Sequence, residues 1–236
     1  MEVPMNRTAQ QVPLAAAQSA TMPETVAETI PTGWSRRAFL GAGVLAGAGL
    51  LMPRDAVAKK PETVTAGRVV QLPAPDRNGG KPLMACMNAR RSTHAPGKKD
   101  LSLDDLSAVL WSAFGINSES GKHVVPTAMN RQQLQVYAVL GNGVWLYEPQ
   151  SHAIRQVLSG DRRSSFDSSA CILLYAAPDS DRFAGMHVGS MYQNVGLCCA
   201  DRGIKNCVKH QKHDALDAEL PLPEGWSVQI GHSLSR

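Results

Sequence analysis

"QVYAVLGNGVWLYE", Gln135 to Glu148, reads as a β-hairpin. Two runs rich in β-branched and aromatic residues, Gln135–Leu140 and Val144–Glu148, flank Gly141-Asn142-Gly143. Glycine and asparagine tolerate the positive φ of a tight hairpin turn, so the pattern predicts two antiparallel strands. Downstream, the unbroken apolar run "ACILLYAA" (Ala170–Ala177) predicts a strand buried on both faces. Trp226–Ile230 predicts a last strand. Arg68–Leu72 predicts a short one within a lead-in from Lys59 to Gly80 that closes on a Pro/Asn/Gly turn. Helical periodicity lies between these runs. Pro82–Arg90 predicts a short helix. Ser102 is a helix N-cap with Asp104 and Asp105 in the first turn, Leu103, Leu106, Val109 and Leu110 recur at helical spacing, and Gly115 stops the run. His187–Arg202 predicts a helix with a broad apolar face made by Val188, Met191, Val195, Leu197 and Cys198. Helices interspersed with antiparallel strands give an α+β fold class.

The N-terminal quarter has a different composition. "SRRAFLGAGVLAGAGLL", Ser35–Leu51, sets two arginines before a run of small and apolar residues. Arg36-Arg37 form the charged region of an export signal, Ala38–Met52 its apolar core, and Ala56-Val57-Ala58 a cleavage pattern with Lys59 the first mature residue. The core falls short of the roughly 18 residues a spanning helix needs, and its glycines weaken it further. Ser-Arg-Arg-x-Phe-Leu resembles the twin-arginine signature, whose route carries folded cargo. An ordinary Sec signal and an uncleaved anchor are the other readings. The first 34 residues have the composition of a disordered extension, or the start lies later, at Met22. Residues 1–58 are therefore set apart as extension plus signal, and 59–236 as one domain, long enough for a full core. The mature part then has no stable membrane span, and its expected location is the periplasm.

The chain of 236 residues has a formal charge of +4. The four basic and four acidic residues of the signal region cancel, so the excess belongs to the mature part. It suits an anionic small ligand. No basic run marks nucleic-acid binding. Cys86, Cys171, Cys198, Cys199 and Cys207 are odd in number and lack scaffold spacing, so they read as small buried apolar residues. Cys198-Cys199, Cys207, His210 and His213 raise a metal reading. Neighbouring cysteines on a helix chelate one ion poorly, however, and no C-x-x-C is present, so no metal is assigned.

Five segments together carry a resemblance: "GGKPLMACMNARRSTH" (Gly79–His94), "LSLDDLSAVLWSAFGIN" (Leu101–Asn117), "GKHVVPTAMNRQQLQVYAVLGNGVWLYEPQSHAIRQVLSGD" (Gly121–Asp161), "QNVGLCCADRGI" (Gln193–Ile204) and "LPEGWSVQIG" (Leu222–Gly231). In order and spacing they resemble the nitroreductase family of flavoproteins, in the subgroup related to SagB-type oxidases. The resemblance implies a central, mostly antiparallel sheet flanked by helices, with FMN held non-covalently at a homodimer interface. It implies that Arg90, Arg91 and Ser92 hold the phosphate, for which two guanidinium forks and a hydroxyl are good chemistry. Read alone, Arg-Arg-Ser is more often a solvated basic turn. Two residues after the serine the family places Arg or Lys against the flavin's pyrimidine edge; here it is His94. Pro126, Thr127, Asn130 and Gln132 match the segment that reaches the partner's FMN, where amides suit the ring's mixed donors and acceptors. Read alone, that segment is a turn entering a strand. Lys209-His210 stand where the family usually has a glycine close to the flavin. Arg236 is the basic residue left to complete the phosphate site, the usual Gly-Tyr-Pro ending is missing, and Pro178–Gly185 is short where relatives carry a covering loop.

The implied function is an exported FMN oxidoreductase acting by a ping-pong cycle on a small-molecule substrate, with an unidentified donor and acceptor. Loading FMN in the cytoplasm before leaving by the twin-arginine machinery links the two halves of the chain. Two alternatives stand beside it. One is a degenerate member that binds flavin weakly or not at all and works as an interaction module. The other is a SagB-like oxidase of peptide azolines.

Overall fold

The structure, a computed structural model, describes residues 67–210 and 214–236. The readings of the extension, the signal and its cleavage site fall outside these residues, as does His213. The described chain runs β1 (Val69–Gln71), α1 (Leu83–Ala89), α2 (Leu103–Phe114), β2 (Gln135–Leu140), β3 (Gly143–Glu148), β4 (Ala153–Ser159), β5 (Cys171–Pro178), α3 (Ala184–Arg202), β6 (Lys205–Lys209), α4 (Asp214–Glu219) and β7 (Trp226–Ser235), with short 3-10 turns at 128–130 and 163–165. The strands form one sheet in the order β1-β4-β3-β2-β5-β7-β6, and every pairing is antiparallel. The architecture is α+β, a seven-stranded antiparallel sheet flanked by helices, as the resemblance implied.

The hairpin forms with Leu140 opposite Gly143, so its loop is Gly141-Asn142. Gly143 has φ 146°, and a Cβ there would sit 2.3 Å from the Leu158 carbonyl oxygen, so no other residue fits. β5 is buried along its whole length. Strand side chains alternate between faces. Leu173, Tyr175 and Ala177 therefore join Val136, Ala138 and Trp145 against α2 and α3. Ile172, Leu174 and Ala176 join Tyr137, Val139, Val144 and Val228 on the other face, packed with Leu216 and Leu220. α2 starts as expected: Ser102 Oγ accepts the Asp105 N–H at 3.1 Å, and Gly115 closes the helix. Leu103, expected on the apolar face, is instead among the exposed residues.

The structure differs from the sequence reading in three places. β4, β6 and α4 carried no prediction. α3 starts at Ala184 rather than His187, and Gly203 ends it in the left-handed conformation. β7 runs to Ser235 rather than stopping at Ile230, because Gly231–Ser235 pair with both β5 and β6. Its polar residues hide the strand in sequence, yet His232, Ser233 and Ser235 each have a hydrogen-bond partner. Ser233 donates to Asp167 and Ser235 to the Lys99 carbonyl. His232 lies between the Tyr175 hydroxyl and Asn206 Oδ1, each at 3.0 Å. Asn206 Oδ1 can only accept, so Nε2 carries the proton and Nδ1 accepts from Tyr175.

A buried carboxylate ties the helix ends to the C-terminus. Asp105, placed in the first turn of α2 where the dipole favours it, accepts Arg202 Nε at 2.8 Å and lies 3.3 Å from Arg236 Nε. Arg236 N–H also donates to the Lys99 carbonyl. All five cysteines are free thiols, and burial pushes Cys171 up to about 12 and Cys199 well above the usual thiol range. Among the described residues no helix is long and apolar enough to cross a membrane.

Two stability tests follow from these buried groups. Arg236→Ala should cost about 1–2 kcal/mol, with most of that loss absent in an Asp105→Asn background. Additive losses in the double-mutant cycle would contradict the clamp. Burial holds His232 down to about 3, from 6.5 when free. Below pH 6.5 the unfolded chain takes up a proton that the fold refuses, so stability is lost as pH falls from about 6.5 toward 3. His232→Gln should show a flatter urea-unfolding dependence across that window, and equal slopes would contradict the assignment.

Candidate functional site

α1 stops at Ala89 because Arg90, its C-cap, turns extended with ψ 123° while its N–H still reaches the Cys86 carbonyl. The chain then runs beside β6: the Thr93 N–H donates to the Asn206 carbonyl at 2.7 Å, and His94 Nδ1 lies 4.0 Å from Cys207 Sγ. The Arg90 side chain lies over α3 at Gly196, where a Cβ would stand 3.4 Å from its Cδ. Arg91 is exposed, and its Nη1 donates to the Asn88 and Arg90 carbonyls at 2.7 and 2.8 Å. These bonds orient the guanidinium, and among the described residues its charge meets no carboxylate. Ser92 is exposed beside it.

The contrast with other arginines is informative. Arg131, Arg155, Arg162, Arg163, Arg202 and Arg236 each meet a carboxylate. Among the described residues Arg90 and Arg91 do not, nor do Arg68, Arg77 and Arg182, but of these five only Arg90 and Arg91 are neighbours in the chain. Adjacent uncompensated cations repel each other, and a dianion placed between them and Ser92 would relieve that repulsion. The chemistry of this donor set therefore fits an FMN phosphate.

Two other expected members have partners of their own. The Lys209 ammonium, at the end of β6, donates to Asp167. Burial by itself would raise the Asp167 pKa, but Lys209, Ser233 and Ser169 hold it down to about 2. Arg236 is the second cation on Asp105. His210 follows β6 and is exposed. Neither Lys209 nor Arg236 joins Arg90-Arg91-Ser92 through a bond within this chain.

The second expected segment sits elsewhere. Pro126 and Asn130 are exposed, while Thr127 and Gln132 are partly buried. Gln132 N–H caps onto Thr127 Oγ1 at 3.1 Å, and Gln132 Nε2 donates to Asn130 Oδ1 at 3.0 Å. The segment touches α3 at His187, whose Nε2 accepts the Ala128 N–H. Sequence reasoning saw His187 only as the start of a helix. Both segments thus rest on α3, one at His187 and one at Gly196. Nine residues at 1.5 Å rise separate these two points by roughly 14 Å along the axis.

Three clefts, of about 470, 370 and 430 Å³, are lined by other residues, and none of the expected cofactor residues borders them. The 370 Å³ cleft is bounded by Lys81, Trp111, Asn194, Cys198, Asp201 and Arg202, between α2 and α3. Its charges are occupied: Asp201 accepts the Lys81 N–H, Lys81 Nζ donates to the last carbonyls of α3, and Arg202 holds Asp105. Among the described residues no group of three or more His, Cys, Asp or Glu is placed to hold a metal ion.

Known proteins share this architecture. A nitroreductase-like protein of Methanocaldococcus jannaschii is 28% identical over 141 residues, spanning 49% of this chain and 71% of that protein. The crystal structure of a nitroreductase-like protein from Ralstonia eutropha JMP134 superposes with a TM-score of 0.66 at 27% identity, covering 75% of this chain and 93% of that one. Another, from Anabaena variabilis, superposes with a TM-score of 0.61 at 18% identity over 72% of this chain and 42% of that one, and shares the fold. The pattern of the Nitroreductase family matches residues 87–232, more than half of the sequence and both candidate segments, and the chain belongs to that family.

Proposed function

We propose that this chain is an exported, FMN-dependent oxidoreductase that works as a homodimer on a small-molecule acceptor. The carrying observation is the pair Arg90-Arg91 beside Ser92, the adjacent arginines that meet no carboxylate among the described residues. Family membership supplies the reaction class, and the fit of this donor set to a phosphate supports FMN as the cofactor. When bound, FMN supplies a ring that accepts hydride at N5 and passes the electrons on in a ping-pong cycle. The residues of the chain do the rest. Arg91, oriented by the Asn88 and Arg90 carbonyls, and Ser92 hold the phosphate. Arg90, supported on Gly196, adds a second cation. Asn130 and Gln132 of the other subunit would meet the polar edge of the ring.

His94 stands where the family pattern has Arg or Lys, so a bound ring would meet an imidazole there in place of a fixed cation. Export places the enzyme away from the cellular NAD(P)H pool, so its donor is a different reduced small molecule. Folding around FMN before export accounts for a twin-arginine signal on a flavoprotein.

A second reading has its own support. With Lys209 committed to Asp167 and Arg236 to Asp105, two of the expected cations serve the fold. A chain that keeps the fold but binds flavin weakly would look the same at these positions.

A charge-assisted contact to phosphate is worth roughly 1.5–3 kcal/mol. Arg91→Ala should therefore weaken FMN binding about tenfold to a hundredfold, with the gap from the parent narrowing as salt rises. Riboflavin, which lacks the phosphate, should bind parent and variant alike in the same fluorescence titration. Equal losses for both ligands would make the arginine structural, and a parent that binds neither would favour the second reading. Export is tested separately. Arg36→Lys with Arg37→Lys should leave folded precursor in the cytoplasm, whereas undiminished export would point to a Sec signal.

A further inference from the structure

The segment 126–132 adopts a shape that its own residues resist. Met129, Asn130 and Gln132 have φ of 53°, 52° and 53°. The left-handed region is disfavoured for residues with a Cβ, methionine and glutamine more than asparagine. Something outside the segment must hold it there. The internal bonds, Asn130 N–H to the Thr127 carbonyl and Gln132 N–H to Thr127 Oγ1, shape the turn without placing it. Among the described residues, two polar ties fasten it to the rest of the chain. The Ala128 N–H donates to His187 Nε2 at 2.8 Å, and Arg131 Nη1 lies 3.5 Å from Asp181 Oδ1.

Both ties end on one buried pair. His187 is 6% exposed. Its Nδ1 faces Asp181 Oδ2 at 3.4 Å, and the Asp181 side chain is 3% exposed. Asp181 Oδ1 also accepts the Phe183 N–H at 3.0 Å, where the chain enters α3. Valence then decides the tautomer. A nitrogen that accepts a backbone N–H carries no proton, so the neutral ring bears its proton on Nδ1, the atom that faces the carboxylate.

We propose that His187 is a positioning residue. Asp181 sets its tautomer, the bare Nε2 fixes the Ala128 amide, and the strained turn that follows is thereby held to present Asn130 and Gln132. The functional half of this inference rests on the proposed role of those amides at the flavin. His187 itself contacts the Ala128 amide and the Asp181 carboxylate, and acts through the turn.

Two readouts separate the halves. Amide exchange at Ala128, followed by NMR on flavin-free protein, reads the anchor. Fluorescence titration with FMN reads its consequence. His187→Leu removes the acceptor, and His187→Gln keeps an oxygen acceptor at similar reach. The Leu variant should exchange Ala128 about tenfold faster, with β2 and β5 amides unchanged, and should bind FMN about tenfold more weakly. The Gln variant should lie near the parent in both. Histidine 15N shifts should place the His187 proton on Nδ1. Should the Leu variant fail to fold, Ala128→Pro deletes the donor instead. Its site opens a helical turn after an extended Thr127, which suits proline, and FMN affinity should fall as in the Leu variant. Parent-like exchange at Ala128 in the Leu variant, or a proton on Nε2, overturns the anchor. Faster exchange with unchanged FMN affinity overturns the link to the flavin. A parent that binds no FMN overturns the proposed function, while the exchange comparison still decides the anchor.

Discussion

The rest of the molecule depends on the two-sided burial of β5. A strand covered on both faces can carry no unpaired polar side chain, and each of its backbone groups must find a neighbour in the sheet. Cys171–Pro178 meets both conditions, pairing with β2 on one side and β7 on the other. Its Leu173 and Tyr175 face supports α3 through Val188, Met191 and Val195. α3 in turn carries both candidate segments. The site is therefore set by one helix whose height over the sheet is fixed by close packing, since packed interiors do not deform smoothly.

Polar groups at the margins of this core do a different job. Asp105 with Arg202 and Arg236 locks the start of α2, the end of α3 and the C-terminus to one another. Tyr175, His232 and Asn206 form a buried relay, and the Asn206 carbonyl holds Thr93. The extended stretch after α1 is thus seated on β6 by a residue whose side chain belongs to the core. On that stretch Arg90 and Arg91 meet no carboxylate among the described residues, an arrangement suited to a ligand that supplies the opposite charge.

Local signals were readable and distant ones were not. The β2–β3 hairpin, the Ser102 cap and β5 are specified by neighbours in sequence, and each lies where its residues predict. The second half of β7 was hidden because His232 and Ser233 look like loop residues. Their partners, Tyr175 and Asp167, lie 57 and 66 positions away. Asp105 read as a first-turn acid, and nothing local revealed the arginine 97 positions on that buries its charge. At the site, the resemblance supplied Arg90-Arg91-Ser92 and the 126–132 segment. That two adjacent arginines both lack a carboxylate among the described residues became visible only in the structure, where the adjacent Arg162 and Arg163 each have one. His187 gave no signal, because a histidine at a helix start is unremarkable until a backbone amide is found on it.

The central claim is that this chain holds FMN through Arg90, Arg91 and Ser92. The most direct measurement is the visible absorption spectrum of the purified full-length protein, taken before and after denaturation and again after reconstitution with FMN. The account predicts flavin bands that stay with the folded protein through gel filtration, released on denaturation as FMN and not as riboflavin or a covalent adduct. A colourless protein that takes up no FMN on reconstitution would contradict it.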